Sequence, residues 1–131
     1  HIETCEFDMG HVFAFPAVEA AYSNGTEWLD QCLAYIQENI NYIDDFLKQN
    51  TPKIKSIRPQ ASFLLWLDCR EMHLSQEALN EFFVDKAHLA LNDGVSFGIE
   101  GTGFMRMNIA SPRSILEKAM TQLAEAYQTY L

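Results

Sequence analysis

Arg106 is the residue in this sequence whose position most demands a chemical explanation. It sits in Phe104–Ala110, a run that sends Met105, Met107 and Ile109 to one side and Phe104, Arg106 and Asn108 to the other. A guanidinium at an interior strand position is costly to desolvate unless something anionic meets it. Two arrangements satisfy that demand: an internal ion pair with one of the 18 acidic residues, the commoner outcome in folded chains, or an opening toward an acidic ligand. Other groupings carry less. Gly98, Gly101 and Gly103 precede a strand, whereas a phosphate-cradling glycine loop leads into a helix N-terminus, so unusual loop dihedrals account for them. His1, His11, His73 and His88 with Cys5, Cys32 and Cys69 contain no pair at the short spacing of a structural zinc site, and no metal is expected. No Ser, His and acid grouping has a motif around it, although triads assemble from distant residues. Asp44-Asp45 falls on the polar side of a helix and reads as a solvated face.

The elements that must position Arg106 follow from periodicity. His1 to Phe15 shows neither a helical nor an alternating period and reads as a linker-like lead. Pro16 suits the first position of a short helix that Ser23-Asn24-Gly25 stops. Leu29, Cys32, Leu33, Ile36, Ile40, Ile43 and Leu47 then recur at spacings of three and four, which predicts one long amphipathic helix. Asn24 and Glu27 are placed to form its capping box, and Thr51 before Pro52 ends it near Asn50. From Glu27 to Gln49 such a helix extends about 33 Å. Lys53 to Arg58, between two prolines, predicts an edge strand, and Phe63 to Leu67 a strand covered on both faces. Ser75 is expected to cap a second helix, with Leu74 stapling onto Leu79 and Phe82, Phe83 and Ala87 extending the buried face. His88 to Leu91 is a short strand candidate, Asn92-Asp93-Gly94 a turn, and Phe97 to Gly103 the most flexible stretch by composition. Ser111-Pro112 opens the last helix as cap and first residue, with Ile115, Leu116, Ala119, Met120, Leu123 and Tyr127 as its apolar stripe. Strands and helices mix without strict alternation, so the fold class is α+β, a small sheet with helices packed on it.

Composition bounds the function. The 131 residues are enough for one domain with a real core, and 48% hydrophobic against 21% charged residues is a globular balance. A formal charge of -9 with scattered Lys and Arg disfavours nucleic acid and anionic membrane partners. The apolar stretches fall far short of the ~20 residues of a membrane span, and nothing resembles a signal peptide. Three widely spaced cysteines point to a reducing compartment, and hence to the cytoplasm, in place of a disulfide framework. The start at His1 suggests a piece cut from something longer.

The run Gly101-Thr-Gly-Phe-Met-Arg106-Met-Asn-Ile-Ala-Ser-Pro-Arg113, preceded by Gly94-Val-Ser-Phe97-Gly98, resembles the C-terminal signature of pyridoxal-phosphate-dependent enzymes of the aspartate aminotransferase fold. Within them it is most similar to the cystathionine β-lyase-like subgroup of class I/II aminotransferases. Ala20 to Leu29 and Phe63 to Asp68 resemble that subgroup too, so the similarity runs from about Phe13 to the end of the chain. The resemblance implies the small, mostly antiparallel C-terminal domain of such an enzyme over residues 27–131, with residues 1–26 as a linker and short helix from the domain junction. It implies that Arg106 grips the α-carboxylate of an amino-acid substrate, that Asn108 supports it, and that Gly94 to Gly98 lines the substrate side of the cleft. The lead around His11 to Phe13 resembles a stretch near a homodimer interface. Lys48, Lys53, Lys55, Lys86 and Lys118 do not match the family's cofactor lysine, so the resemblance also implies no catalytic residue here, with pyridoxal phosphate bound by a missing large domain that the long helix would reach. The rival reading is a free-standing α+β module in which Arg106 holds an acidic metabolite without catalysis.

Overall fold

The computed structural model describes residues 11–130, so His1, Cys5 and most of the lead lie outside the described residues. The chain divides into two compact units, one ending at Ala34 and one beginning at Tyr35. In the first, α1 (Ala14–Asn24) starts two residues before the predicted proline, and it is followed after Gly25 by α2 (Thr26–Asn50), which continues beyond Ala34. The predicted capping box does not form. Asn24 is the last residue of α1 and donates to the Ala20 carbonyl at 3.4 Å, while Glu27 accepts from Gln31 one turn on. None of residues 11–34 is buried, and Phe13, Phe15, Tyr22 and Trp28 are each at least 69% exposed. The predicted stripe of α2 therefore splits: Leu29 and Leu33 stand in solvent, whereas Ile40, Ile43 and Leu47 are buried.

The second unit is a four-stranded, wholly antiparallel sheet with helices on one face, the α+β architecture expected. β1 (Lys55–Ile57), β2 (Leu64–Asp68), β3 (Asn92–Asp93) and β4 (Phe104–Asn108) lie in the order β1-β2-β4-β3. Leu65, Leu67, Met105 and Met107 face inward, where they join Ile43 and Leu47 of α2, Leu79 of α3 (Gln76–Glu81), and Leu116, Met120, Leu123 and Tyr127 of α4 (Arg113–Tyr130) in one core. Each such side chain stabilises the fold by roughly 1.5–3 kcal/mol.

Several expectations are corrected. β2 is not covered on both faces, since Leu64 and Trp66 remain half-buried opposite the fully covered Leu65 and Leu67. Its unbroken apolar run hides an ordinary alternation with an aromatic outer face. His88 to Leu91 forms no strand, because the preceding Phe82–Lys86 stretch winds as a π-turn, closed by Ala87 N–H to the Phe82 carbonyl at 2.9 Å, and His88 takes φ 54°. The strand comes one step later at Asn92–Asp93, the residues read as a turn. Phe97 to Gly103 is organised by two short 3-10 turns, Gly94–Phe97 and Ile99–Gly101. Ser75 caps α3 as expected, its Oγ accepting from Ala78 N–H at 3.2 Å. α4 begins at Arg113, one residue after the proline, and Ile115 is 56% exposed, leaving it off the buried stripe.

A polar pair of buried Asn39 and half-buried Arg113 fixes the start of α4. Asn39, fully buried on α2, donates to the Ile109 and Ser111 carbonyls at 3.1 and 3.2 Å, and its oxygen accepts from Arg113 Nε at 2.9 Å. The Arg113 guanidinium lies over the Tyr42 ring at 4.7 Å. Burial, then the nearby Glu117 charge, pushes the Tyr42 hydroxyl above its ordinary value against the opposing pull of Arg113.

Candidate functional site

The outer face of the sheet collects the residues with unspent chemistry. Antiparallel register places Ile57, Trp66, Arg106 and Asn92 side by side across all four strands, while the row below them, Ser56, Leu67, Met105 and Asp93, turns toward the helices. Arg106 donates from Nη2 to Asn92 Oδ1 at 3.1 Å, and its guanidinium lies 4.2 Å from the centre of the Phe97 ring. Phe97 meets Trp66 edge-on at 5.5 Å, and Trp66 meets Phe104 at 6.3 Å. Ile57, Trp66, Phe97, Glu100, Gly101 and Phe104 enclose a cleft of about 290 Å³ on this face.

The ion pairs among the described residues join Lys48 to Asp44, Lys55 to Glu71 and Arg70 to Asp68. Arg106 is in none of them, so the internal ion pair weighed from the sequence does not form. Its Nε is buried with no hydrogen-bond partner. An unspent buried donor costs about 1–3 kcal/mol. Asn108 lies on the same face two residues on, but it is exposed and its Oδ1 accepts from Ala110 N–H at 2.9 Å. The structure does not link it to Arg106.

Asp93 holds β3 and the Phe97 turn in place. Its carboxylate accepts from Gln76 at 2.7 Å, Asn80 at 2.6 Å and Val95 N–H at 2.9 Å. Burial tends to raise its pKa, but the hydrogen bonds from Asn80, Val95 and Gln76 outweigh that and keep it below the ordinary carboxylate range. Gln76 also accepts from Gly103 N–H at 2.7 Å, tying the loop back to α3. Gly94 is required here: a Cβ on it would lie 2.3 Å from the Gly101 carbonyl oxygen and 2.4 Å from that of Phe104. Of the stretch Gly94 to Gly98, Phe97 lines this cleft. Gln76 and Asp93 were missed in the sequence, where nothing distinguishes one polar residue at a helix start or turn from another.

A larger cleft of about 400 Å³ lies elsewhere, lined by Asp44, Lys48, Lys55 and Ser56 among others. Its polar groups already satisfy one another, since Asp44 takes both Lys48 and Ser56 at 2.7 Å and is held below the ordinary carboxylate range mainly by them. It offers no unspent charge, so size alone does not make it the site. Cys69 is no nucleophile, because burial pushes its thiol up to about 12. No group of His, Cys, Asp and Glu among the described residues could hold a metal ion, and no helix among them is long and apolar enough to cross a membrane.

Comparison with known proteins supplies the context. No family model matches the chain. The Bacillus subtilis cystathionine beta-lyase PatB is 37% identical over 116 residues, covering 88% of this chain and 30% of the lyase. Cystalysin from Treponema denticola, which contains a pyridoxal 5'-phosphate cofactor, superimposes with a TM-score of 0.86 at 31% identity over 90% of this chain and 30% of its own. The chain is homologous to the C-terminal part of cystathionine β-lyases and PLP-dependent aminotransferases. A PLP-bound protein of Clostridium difficile assigned to the aminotransferases superimposes with a TM-score of 0.85 at 41% identity, over 89% of this chain and 30% of that one. The chain spans about 30% of the length of the relatives it matches, and corresponds to their C-terminal domain. Its described residues do not fit a pyridoxal phosphate site. Lys48 and Lys55 are paired with carboxylates, Lys86 and Lys118 are exposed, and no lysine lines the cleft beside Arg106.

Proposed function

We propose that this chain is the small domain of an amino-acid-processing enzyme, a PLP-dependent aminotransferase or cystathionine β-lyase-type C–S lyase, in which Arg106 binds the substrate α-carboxylate. The observation that carries this reading is a half-buried guanidinium without a carboxylate partner and with one donor unspent. A planar fork of donors matches a carboxylate through two parallel hydrogen bonds, and an α-carboxylate held in one orientation presents a chosen bond at the α-carbon to whatever acts on it. Asn108, on the same face, supports the carboxylate once the ligand is in place. Pyridoxal phosphate and its lysine belong to the rest of the enzyme, which residues 1–26 join to the small domain formed by residues 27–131. Exposed apolar side chains around Phe13 and Trp28 support a covering partner, and we assign that role to the large domain and to a second copy in a homodimer. Among the described residues Cys32 and Cys69 form no disulfide, in keeping with a cytoplasmic enzyme. The free-standing module has less support, since the relatives are enzymes of which this chain covers 30%.

Two experiments test the reading. Pyridoxal phosphate added to the 131-residue chain alone should leave no borohydride-fixed adduct on any lysine; a stoichiometric adduct would overturn the division of labour. In the enzyme of full length, Arg106→Ala should raise KM for the amino acid at least tenfold, and an unchanged KM would remove Arg106 from the substrate site.

A further inference from the structure

Three features around Arg106 are separate from the guanidinium itself. Asn92 is its direct partner in the β3–β4 register and accepts from Nη2 at 3.1 Å. Phe97 carries the guanidinium plane at 4.2 Å and is itself braced edge-on by Trp66. The third is a choice of charge: the acceptor at 92 is an amide, although Asp93 next to it turns inward and is consumed by Gln76, Asn80 and Val95. A carboxylate at 92 would have given Nη2 an internal ion pair where it now has a neutral acceptor.

We propose that Asn92 and Phe97 are positioning residues that aim Arg106 at a ligand carboxylate, and that neutrality at 92 keeps the guanidinium charge available for that ligand. This rests on the reading of Arg106 as a carboxylate-binding residue. An amide oxygen fixes the orientation of Nη2 without neutralising the cation, and an aromatic face restrains the guanidinium plane while leaving its edges free to donate. An aspartate at 92 would satisfy the same geometry and compete directly with the guest anion. Orientation and charge are thereby supplied by different atoms.

The test compares Asn92→Asp, Asn92→Ala, Phe97→Leu and Arg106→Ala in the holoenzyme of full length, with steady-state KM for an amino acid that the wild-type enzyme turns over, by elimination from L-cystathionine or by transamination, and thermal unfolding as readouts. Asn92→Asp should keep or raise the unfolding midpoint while raising KM about tenfold. Asn92→Ala and Phe97→Leu should raise KM severalfold, with kcat changed less. A purely structural role at 92 would move the midpoint and leave KM alone, and that result would overturn the proposal. If Arg106→Ala raises KM while Asn92→Asp matches wild type, the positioning claim fails and the Arg106 reading stands. If Arg106→Ala leaves KM unchanged, the underlying reading fails and the proposal falls with it.

Discussion

Within the single helix α2, Ile43 and Leu47 are 0% and 1% exposed, whereas Leu29 and Leu33, on the same stripe about four and three turns before Ile43, are 49% and 54% exposed. The same contrast separates the units: residues 35–130 enclose a core of aliphatic and aromatic side chains, and residues 11–34 bury nothing. Period 3.6 thus reports which side of a helix seeks cover, and the covering surface is a separate fact. In the second unit the sheet and α4 provide it. In the first, the apolar side chains remain available to a partner.

Truncation should break the symmetry between these regions most strongly. Phe83→Ala, at a site with no exposed surface, is expected to lower stability by about 3–5 kcal/mol in chemical denaturation. Trp28→Ala, with more side chain removed, should change it by no more than about 0.5 kcal/mol. A comparable loss at Trp28 would show that the first unit contributes to the core after all.

Next in size is Asn39→Ala, which leaves the Ile109 and Ser111 carbonyls and Arg113 Nε without their partner and should cost about 1–3 kcal/mol. Asn39 was not singled out in the sequence, because the apolar stripe passes it by through Ile36, Ile40 and Ile43, and its partners are about 70 positions away where no local pattern names them. By contrast, β4 and the Ser75 cap were readable because each is decided within a few residues, by alternation in one case and by a hydroxyl three residues before a free N–H in the other. β3 was not readable: two polar residues show no period, and they become a strand only because β4 lies beside them. Arg106 was recognised as needing an anion, but the stacked Phe97 and neutral Asn92 that replace the internal acid arise from strand register and from a loop folded on Gly94 and Gly101.

The cysteines sharpen the comparison chemically. A thiol reagent near pH 8 should modify the half-buried Cys32 of the first unit well before Cys69. Because burial raises the Cys69 pKa from 9.0 to about 12, the unfolded chain releases this proton first as pH rises, so stability should fall between those values with a slope near 1.4 kcal/mol per pH unit. Cys69→Ala should flatten that decline; an identical pH profile would contradict the burial.

The smallest effect on folding should accompany a clear effect on assembly. The 131-residue chain alone should self-associate in light scattering through its exposed apolar side chains, and Tyr22→Asp with Trp28→Asp should reduce this without a measurable change in stability. A strictly monomeric wild-type chain would remove the argument for a partner surface.

Arg106→Lys in the enzyme of full length tests most directly whether the fork geometry of one side chain holds the substrate carboxylate. Lysine keeps the positive charge and loses the two parallel donors. KM for the amino-acid substrate should rise at least tenfold while the unfolding midpoint stays within a few degrees of wild type. An unchanged KM would contradict the account.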